Sequence, residues 1–348
     1  MNESTILRYD KSDMRSLLAA FPKQILDALR IGNRVSLPFS GSGIRNIVLS
    51  GLGGSAIGGD LLRSYLAEEL DIPFVVNRHY FLPEFVDNNS LVVISSYSGN
   101  TEETIAAHKD ATRRKAKILC ISSNGETQIM AQKFKQAFLT VPRGYPPRAA
   151  VGYSFIIPFL AMVKLHLIPS REKEIQETIA LLKKKSTLYS SPTIKNPALS
   201  LAQKLYGKLP IIYSSADRFD VVNLRWRGQF AENAKILAFG HVLPEMNHNE
   251  LVGWKVLRRH MEEMAVILLR DKDEHERIQV RMNITKSIVG EFAGGVHEIY
   301  SEGKSRMAKM FSLMYLGDWT SYYLALLNGI DPTPVNIIDY LKHELVKA

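Results

Sequence analysis

The stretch LVVISSYSGNTEET, residues 91–104, passes from a short apolar run through a turn rich in hydroxyl groups into a polar segment. Its β-branched run, Leu91–Ile94, predicts a buried strand. Glu102 and Glu103 are typical of the first turn of a helix. A buried strand, a turn and a helix in this order form the repeating unit of parallel α/β sheets.

The turn itself predicts an anion site. Ser96, Ser98 and Thr101 place three hydroxyl groups around Gly99 and Asn100. A helix that begins there directs backbone N–H groups and the positive end of its dipole at the space between these hydroxyls. Phosphate is the anion that fits such a site best. The alternative is an ordinary helix cap, which needs only one hydroxyl.

The same alternation continues on both sides of this stretch. Residues 1–45 have the apolar spacing of helices, and a series of strands and helices follows. The predicted strands are 46–50, 73–77, 91–95, 117–122 and 136–141, and the predicted helices are 61–66, 101–113, 127–134 and 154–167. We therefore predict the α/β class, with a parallel sheet covered by helices on both faces. Ligands bind beyond the carboxyl ends of the strands in such sheets.

A glycine-rich segment, GLGGSAIGGD at residues 51–60, follows the first predicted strand. Glycines at a strand-to-helix turn allow a ligand to approach the backbone. The dinucleotide fingerprint is met only loosely, because Ala56 stands where it requires glycine. We therefore expect a sugar, rather than a nucleotide cofactor, beside Gly53, Gly54 and Ser55.

A second block of strands, at residues 209–214, 265–269 and 296–300, predicts a second domain. The loops after its first two strands, SADRFD and RDKDEHE, contain neither the hydroxyl-rich turn nor the glycine cluster. A charged helical linker and a break rich in Ser and Pro precede this block. We place the domains at residues 1–170 and 195–348, and we expect the phosphate loop only in the first.

Composition narrows the class of ligand. Lys and Arg exceed Asp and Glu by 44 − 35 = 9, but they are spread along the chain and accompany no nucleic-acid motif. A small anionic ligand therefore fits better than nucleic acid. The polar first thirteen residues predict no signal peptide, no apolar run reaches the ~18 residues of a membrane span, and Cys120 is the only cysteine. We expect a cytoplasmic protein that binds neither nucleic acid nor a membrane.

Two residues of the second block have the chemistry of an acid/base pair. Glu232 lies near the end of a helical pattern over residues 221–234, and His248 lies in an irregular polar segment. Each alone is more often a surface or structural residue, but beside a phosphate pocket the pair is suited to proton transfer. His241 and His248 lie seven residues apart with Glu245 and Glu250 nearby, which suggests a metal site as an alternative. Their spacing matches no metal-binding motif, so we predict no metal.

Five motifs taken together resemble the bifunctional phosphoglucose/phosphomannose isomerase family, whose members are sugar isomerases built of SIS domains. They are GLGGSAIGGD, SSYSGNTEET, GQFAENAK (228–235), EMNHNELVGW (245–254) and DPTPVNIIDYLK (331–342). The resemblance spans nearly the whole chain. It implies two αβα SIS domains of the flavodoxin-like type with a helical N-terminal lead-in and a C-terminal helix, and it implies a homodimer.

The resemblance further implies interconversion of glucose 6-phosphate or mannose 6-phosphate with fructose 6-phosphate, without a cofactor or a metal. Residues of the first two motifs would bind the substrate. The phosphate would be held by Ser96, Ser98 and Thr101. The sugar would be bordered by Gly53, Gly54 and Ser55.

Four further residues would carry the chemistry in this family. Glu232 would move the proton between C1 and C2 through a cis-enediol, and His248 of the partner subunit would open the sugar ring. Arg148, in the Pro-rich segment 142–153, would stabilise the enediolate. Lys342 would assist ring opening or orient the substrate.

Two other classes of protein share this kind of domain. A non-catalytic regulator would need the phosphate loop but neither Glu232 nor His248, and it would usually carry a DNA-binding domain, which the sequence does not indicate. An enzyme that aminates a ketose phosphate would need an ammonia-producing domain, for which 348 residues leave no room.

Overall fold

The computed structural model describes residues 1–347, apart from the side chain of Val346. The strands of this part of the chain are β1 (Asn46–Ser50), β2 (Phe74–Asn77), β3 (Ser90–Ser95), β4 (Lys117–Ser122), β5 (Ala137–Thr140), β6 (Leu209–Ser215), β7 (Phe239–Leu243), β8 (Met264–Arg270) and β9 (Val296–Tyr300). Its α-helices are α1 (Glu3–Tyr9), α2 (Met14–Ala19), α3 (Phe21–Asn33), α4 (Gly53–Leu66), α5 (Glu102–Arg113), α6 (Glu126–Lys133), α7 (Val151–Lys164), α8 (Glu172–Tyr189), α9 (Pro197–Leu205), α10 (Asp220–Gln229), α11 (Arg258–Met261), α12 (Glu276–Gly290), α13 (Arg306–Leu327) and α14 (Asn336–Lys347).

The first sheet has the strand order β2-β1-β3-β4-β5, and all its neighbouring strands are parallel. This is the flavodoxin-like order, in which the chain reverses direction across the sheet between β1 and β3. Every residue of β1 and β3 is buried, as the continuous apolar runs of these strands predict. The predicted parallel α/β class is confirmed.

The second sheet has the order β7-β6-β8-β9 and is also parallel. Its strands therefore repeat the order of the first four strands of the first sheet. The sequence did not predict β7, because this edge strand is only partly covered: Phe239 remains 52% exposed. The predicted architecture of two flavodoxin-like domains is confirmed.

The chain forms two compact units. One unit contains residues 20–180, and the other contains residues 1–19 together with the chain from Leu181 onward. The helical lead-in is thus shared, since α1 and α2 belong to the unit of the second sheet and α3 to that of the first. The domain boundaries predicted from sequence, 1–170 and 195–348, stay a prediction.

Helix α4 begins at Gly53, eight residues before the helix that the sequence predicted. The glycines of GLGGSAIGGD therefore lie inside a helix rather than in a loop. Gly54 shows why glycine is needed: a Cβ there would lie 2.2 Å from the carbonyl oxygen of Pro147. Glycine occurs in this helix despite its low helix propensity, because the close approach of two backbones leaves no room for a Cβ.

Helix α13 has 22 residues and was also missed. All its residues from Met307 to Leu326 are buried, so it lacks the polar stripe by which an amphipathic helix is recognised. Its aromatic side chains pack against each other, with Trp319 in edge contact with Tyr322 and stacked on Tyr323. Among the described helices, none has the length and apolar character required to cross a membrane.

Candidate active site

The hydroxyl-rich turn follows β3 and leads into α5, as predicted. Ser96 is buried, and its Oγ donates to Thr101 Oγ1 over 3.1 Å and accepts from the backbone N of Gly99 over 3.1 Å. Gly99 has φ +73°, and a Cβ there would lie 1.7 Å from the carbonyl oxygen of Asn124. The turn is therefore tightly wound, and only glycine fits at its tip.

Thr101 is the N-terminal cap residue of α5, but its side chain makes no capping hydrogen bond. Its hydroxyl contacts Ser96 instead. An ordinary helix cap, the alternative considered above, therefore does not describe this turn. Ser98 is exposed, so the turn presents a hydroxyl group beside the amino end of a helix, a combination that suits an anion.

Tyr97 connects this turn to two other segments. Its backbone N donates over 3.2 Å to Ser55 Oγ, in the first turn of α4, so the segments that follow β1 and β3 meet. Its hydroxyl donates to the carbonyl of Pro142 over 2.8 Å and accepts from the N of Tyr145 over 2.9 Å. Burial raises the pKa of the Tyr97 hydroxyl above its usual value, so this group stays a hydrogen-bond donor at neutral pH.

Arg148 lies in a 3-10 turn, Pro147–Ala149, that packs directly on the backbone of Gly54. It is only 4% exposed, so it is not a solvated loop residue. A small cavity is lined by Pro147 of this turn and by Gly54, Ser55, Ser95, Tyr97, Tyr153 and Ser154, among others. The structure thus brings Gly54, Ser55, the hydroxyl-rich turn and the Arg148 turn together within one unit.

Gln24 holds the Arg148 turn in place and was not found from sequence. This buried side chain on α3 donates to the carbonyl of Ala149 over 2.7 Å and accepts from the N of Gly152 over 2.8 Å. Because more than 120 residues separate the partners, no local pattern could have indicated the contact.

Glu232 lies in the other unit, in a π-helical turn, Phe230–Ala234, that extends α10. The sequence predicted a helix over this segment but not its change of winding. π-helical turns are rare and are frequent at functional sites. The Glu232 side chain is half-buried, whereas its neighbours Phe230 and Asn233 are fully buried.

His248 and Lys342 are both exposed residues of this second unit. His248 ends a 3-10 turn, Glu245–His248, and Lys342 lies on α14. Near His248 in the sequence lie several exposed apolar side chains, which are Leu237, Phe239, Val252, Val256 and Leu257. Unlike Arg148, neither His248 nor Lys342 is buried within its own unit.

The carboxyl edge of the second sheet contains ion pairs where the first has hydroxyls. Asp271, after β8, accepts from Arg218 Nε over 2.8 Å and from Lys309 Nζ over 3.0 Å. Lys309 also pairs with Asp273, and Ser215, at the end of β6, donates to Glu274. The loops after β6 and β8 are therefore joined by charges that neutralise each other.

The pKa values of the two buried acids of this cluster, Asp271 and Glu274, are shifted in opposite directions. For Asp271, burial favours a higher pKa, but hydrogen bonds from Arg218 and Lys309 outweigh it and hold the pKa below its usual value. For Glu274, burial dominates and raises the pKa. Asp271 is therefore the stable counter-ion of the two cations.

Three of the four residues considered for a metal site have other partners. His241 Nδ1 accepts from the N of Val242, Glu250 accepts from the hydroxyl of Tyr213, and Glu245 accepts from Asn249. Within residues 1–347, no group of three or more His, Cys, Asp or Glu side chains is arranged to hold a metal ion.

Comparison with known proteins gives related domains over both units. The SIS domain family model matches residues 42–153, and the model of the bacterial phospho-glucose isomerase C-terminal SIS domain matches residues 194–345. A hypothetical protein of Thermus thermophilus shares the fold, with a TM-score of 0.76 over 99% of this chain and 93% of that one, at 14% identity. The fold and these matches define a protein built of two SIS domains.

Two relatives place it more closely. A bifunctional phosphoglucose/phosphomannose isomerase of Caldicellulosiruptor bescii is 44% identical over 94% of this chain and 97% of its own length. An enzyme of the same name from Aquifex aeolicus is 36% identical over 87% and 91%. The chain belongs to the bifunctional phosphoglucose/phosphomannose isomerase family, which confirms the resemblance of its motifs and its class, an aldose-ketose isomerase.

Proposed function

We propose that the protein interconverts glucose 6-phosphate and mannose 6-phosphate with fructose 6-phosphate. The observation that carries this proposal is the relationship to the Caldicellulosiruptor bescii enzyme over 94% of the chain. The geometry of the hydroxyl-rich turn supports it, since the substrates share a 6-phosphate group. A non-catalytic regulator is not favoured, because the relatives that match most of the chain carry the name of an enzyme.

In this proposal the phosphate binds at the turn between β3 and α5. Ser96, Ser98 and Thr101 donate hydrogen bonds to its oxygens, and the dipole of α5 favours its charge. The sugar lies against Gly53, Gly54 and Ser55. Phosphate contacts take no part in the reaction, but they supply binding energy that positions C1 and C2.

Glu232 is the proposed base. It removes the proton from C2 of the open-chain aldose and returns it to C1 of the cis-enediol, while a second proton passes from the C2 hydroxyl to the C1 oxygen, which gives the ketose. The electron pair of the broken C–H bond moves toward the carbonyl oxygen, so negative charge develops there. The guanidinium of Arg148 stabilises that charge, and a fixed charge of this kind contributes about 3 kcal/mol to the transition state. Neither a redox cofactor nor a metal is required by this chemistry.

Ring opening precedes proton transfer, and we assign it to His248 of the partner subunit in a homodimer. The exposure of His248 and of the apolar side chains near it in the sequence supports this assignment, because surfaces of this kind are covered in oligomers. Lys342 assists ring opening or orients the substrate. The single, buried cysteine fits a cytoplasmic enzyme.

A coupled assay on glucose 6-phosphate and mannose 6-phosphate, with and without a chelator, tests the function. We expect turnover of both sugars that the chelator does not change. Glu232→Gln should lower kcat by about a thousandfold while sugar-phosphate binding persists. Turnover like that of the wild type in Glu232→Gln would rule out this base, and binding without turnover by the wild type would favour the regulator.

The homodimer assignment has its own test. A heterodimer of one Glu232→Gln chain and one His248→Ala chain, isolated with two purification tags, contains one site with both defects and one intact site if His248 acts across the interface. It should then regain about half of the wild-type activity. A heterodimer as inactive as its parents would place both residues of a site in the same chain.

A further inference from the structure

Glu232 lies in a backbone segment whose shape depends on contacts with α13. The segment Phe230–Ala234 is wound as a π-helix, and Lys235 after it has φ +57°. A π-helical turn holds one residue more than the α-helical turn that it replaces, so it rotates the side chains that follow. The direction of Glu232 is therefore set by whatever stabilises this winding.

The first fastening lies just before the turn. Arg225 Nε and Nη2 donate to the two carboxylate oxygens of Asp318, over 3.0 and 2.8 Å, and Gln229 Nε2 donates to the same carboxylate over 2.9 Å. Each of these three side chains is at most 4% exposed. Two parallel hydrogen bonds between buried opposite charges define both distance and orientation.

The second fastening lies inside the turn and at its end. Asn233, next to Glu232, donates through Nδ2 to Ser321 Oγ over 2.9 Å, and Ser321 Oγ donates to the carbonyl of Asp318 over 2.7 Å. Asn328 Nδ2 donates to the carbonyl of Ala234 over 3.1 Å. Asp318 and Ser321 are three residues apart, so they share one face of α13, and Asn328 is the residue that follows the last turn of this helix.

We propose that Asp318 and Ser321 are positioning residues for Glu232. They act through Arg225, Gln229 and Asn233, and they hold the π-helical turn so that the Glu232 carboxylate keeps a fixed direction. The inference rests on the proposed role of Glu232 as base. A displacement of about 1 Å at a reacting group can lower a rate about a hundredfold, so a partial loosening of the turn should be visible in kcat.

The decisive variant is Ser321→Ala, which removes one buried hydroxyl and no charge. We expect kcat to fall about tenfold while the KM for fructose 6-phosphate stays within about twofold, because the phosphate contacts are untouched. Thr320→Val is the matched control. Thr320 is buried on the same helix, but its hydroxyl donates over 2.7 Å to Leu316 of its own helix, so kcat should stay within about twofold.

A double-mutant cycle with Asn233→Ala tests whether the two residues act through their shared hydrogen bond. Each single variant and the double variant should lose about the same tenfold in kcat, because the second change removes a link that is already broken. A double variant that loses about a hundredfold would show independent effects and overturn the proposal. So would Ser321→Ala if it lowers the melting temperature but leaves kcat unchanged well below that temperature.

Glu232→Gln separates failure of this inference from failure of the proposed function. Exchange of the C2 deuteron of labelled glucose 6-phosphate with solvent water reports the base directly. If Glu232→Gln still exchanges the deuteron, the base is wrongly assigned. If Glu232→Gln does not exchange it and Ser321→Ala exchanges it at the wild-type rate, only the positioning role is wrong.

Discussion

At the carboxyl edge of the first sheet, the segments that follow β1 and β3 meet through Tyr97 and Ser55 and leave hydroxyl groups on an open turn. At the same edge of the second sheet, the loops after β6 and β8 meet through Arg218, Asp271 and Lys309. The strand orders around the two edges correspond, with β1 and β3 in the positions of β6 and β8. The topology of the sheet therefore does not decide which chemical groups an edge presents.

The residues after the strands decide it instead. The hydroxyl groups of the first edge are hydrogen-bond donors that, in the part of the chain that the structure describes, are not paired with a carboxylate. An anion can therefore accept their hydrogen bonds without displacing a counter-ion. The second edge has cations, but Asp271 and Asp273 already neutralise them, and a phosphate would have to displace a buried carboxylate. A basic residue at a strand end is thus not in itself a sign of a phosphate site.

The largest effect that would test this contrast between the two edges is on the free energy of unfolding. Asp271→Asn leaves Arg218 and Lys309 at the second edge without their shared buried counter-ion, so the free energy of unfolding should fall by about 3 kcal/mol. The KM for fructose 6-phosphate should not change. Asp273→Asn is the matched control, since Asp273 pairs with the same Lys309 but is largely exposed, and it should cost much less.

The loss of unfolding free energy in Asp271→Asn, measured by denaturant titration, should become smaller as the pH falls. The pKa of Asp271 lies below its usual value in the folded protein, so its contribution is fully present above about pH 4 and is lost as the pH falls toward the folded pKa. Wild type and variant should therefore become more alike in acid. A difference in unfolding free energy between wild type and variant that widens in acid, or a raised KM in the variant, would contradict the assigned structural role.

A smaller effect is expected from Tyr97→Phe at the first edge. The change removes only the hydroxyl that links the hydroxyl-rich turn to Pro142 and Tyr145, ahead of the Arg148 turn. We expect kcat/KM to fall about tenfold, which corresponds to about 1.4 kcal/mol. Tyr65→Phe serves as control, because it loses a buried hydroxyl bonded to Glu174, away from these loops, and should retain kcat/KM. Equal losses in the two variants would show a general effect of stability.

The bounds of several strands could be predicted from the sequence. The strands Asn46–Ser50 and Lys117–Ser122 have the predicted bounds, because continuous apolar or β-branched runs between polar residues leave little choice. Val296–Tyr300 also has the predicted bounds, although two polar residues interrupt its apolar side chains. It missed β7, which lies at an exposed edge, and α13, which is buried all round. Both lack the periodicity on which prediction depends.

For the candidate site, the hydroxyl-rich turn could be found from residues that are adjacent in sequence. The roles of Glu232, His248, Arg148 and Lys342 depended on the resemblance to a family, because their types and spacing alone fit several functions. The residues that hold the π-helical turn against α13 could not be found from the sequence at all. Gln229 and Asp318 are 89 residues apart, and a local pattern holds no information about such a contact.

The central claim is that each chain binds one phosphate, at the first edge. Calorimetric titration of Glu232→Gln with fructose 6-phosphate tests it directly, because this variant should bind the sugar without turning it over. We expect one site per chain, an affinity about a hundredfold lower when Ser98→Ala and Thr101→Ala are added, and no change when Asp271→Asn is added. Two sites per chain, or an affinity that survives the loss of both hydroxyls, would contradict the account.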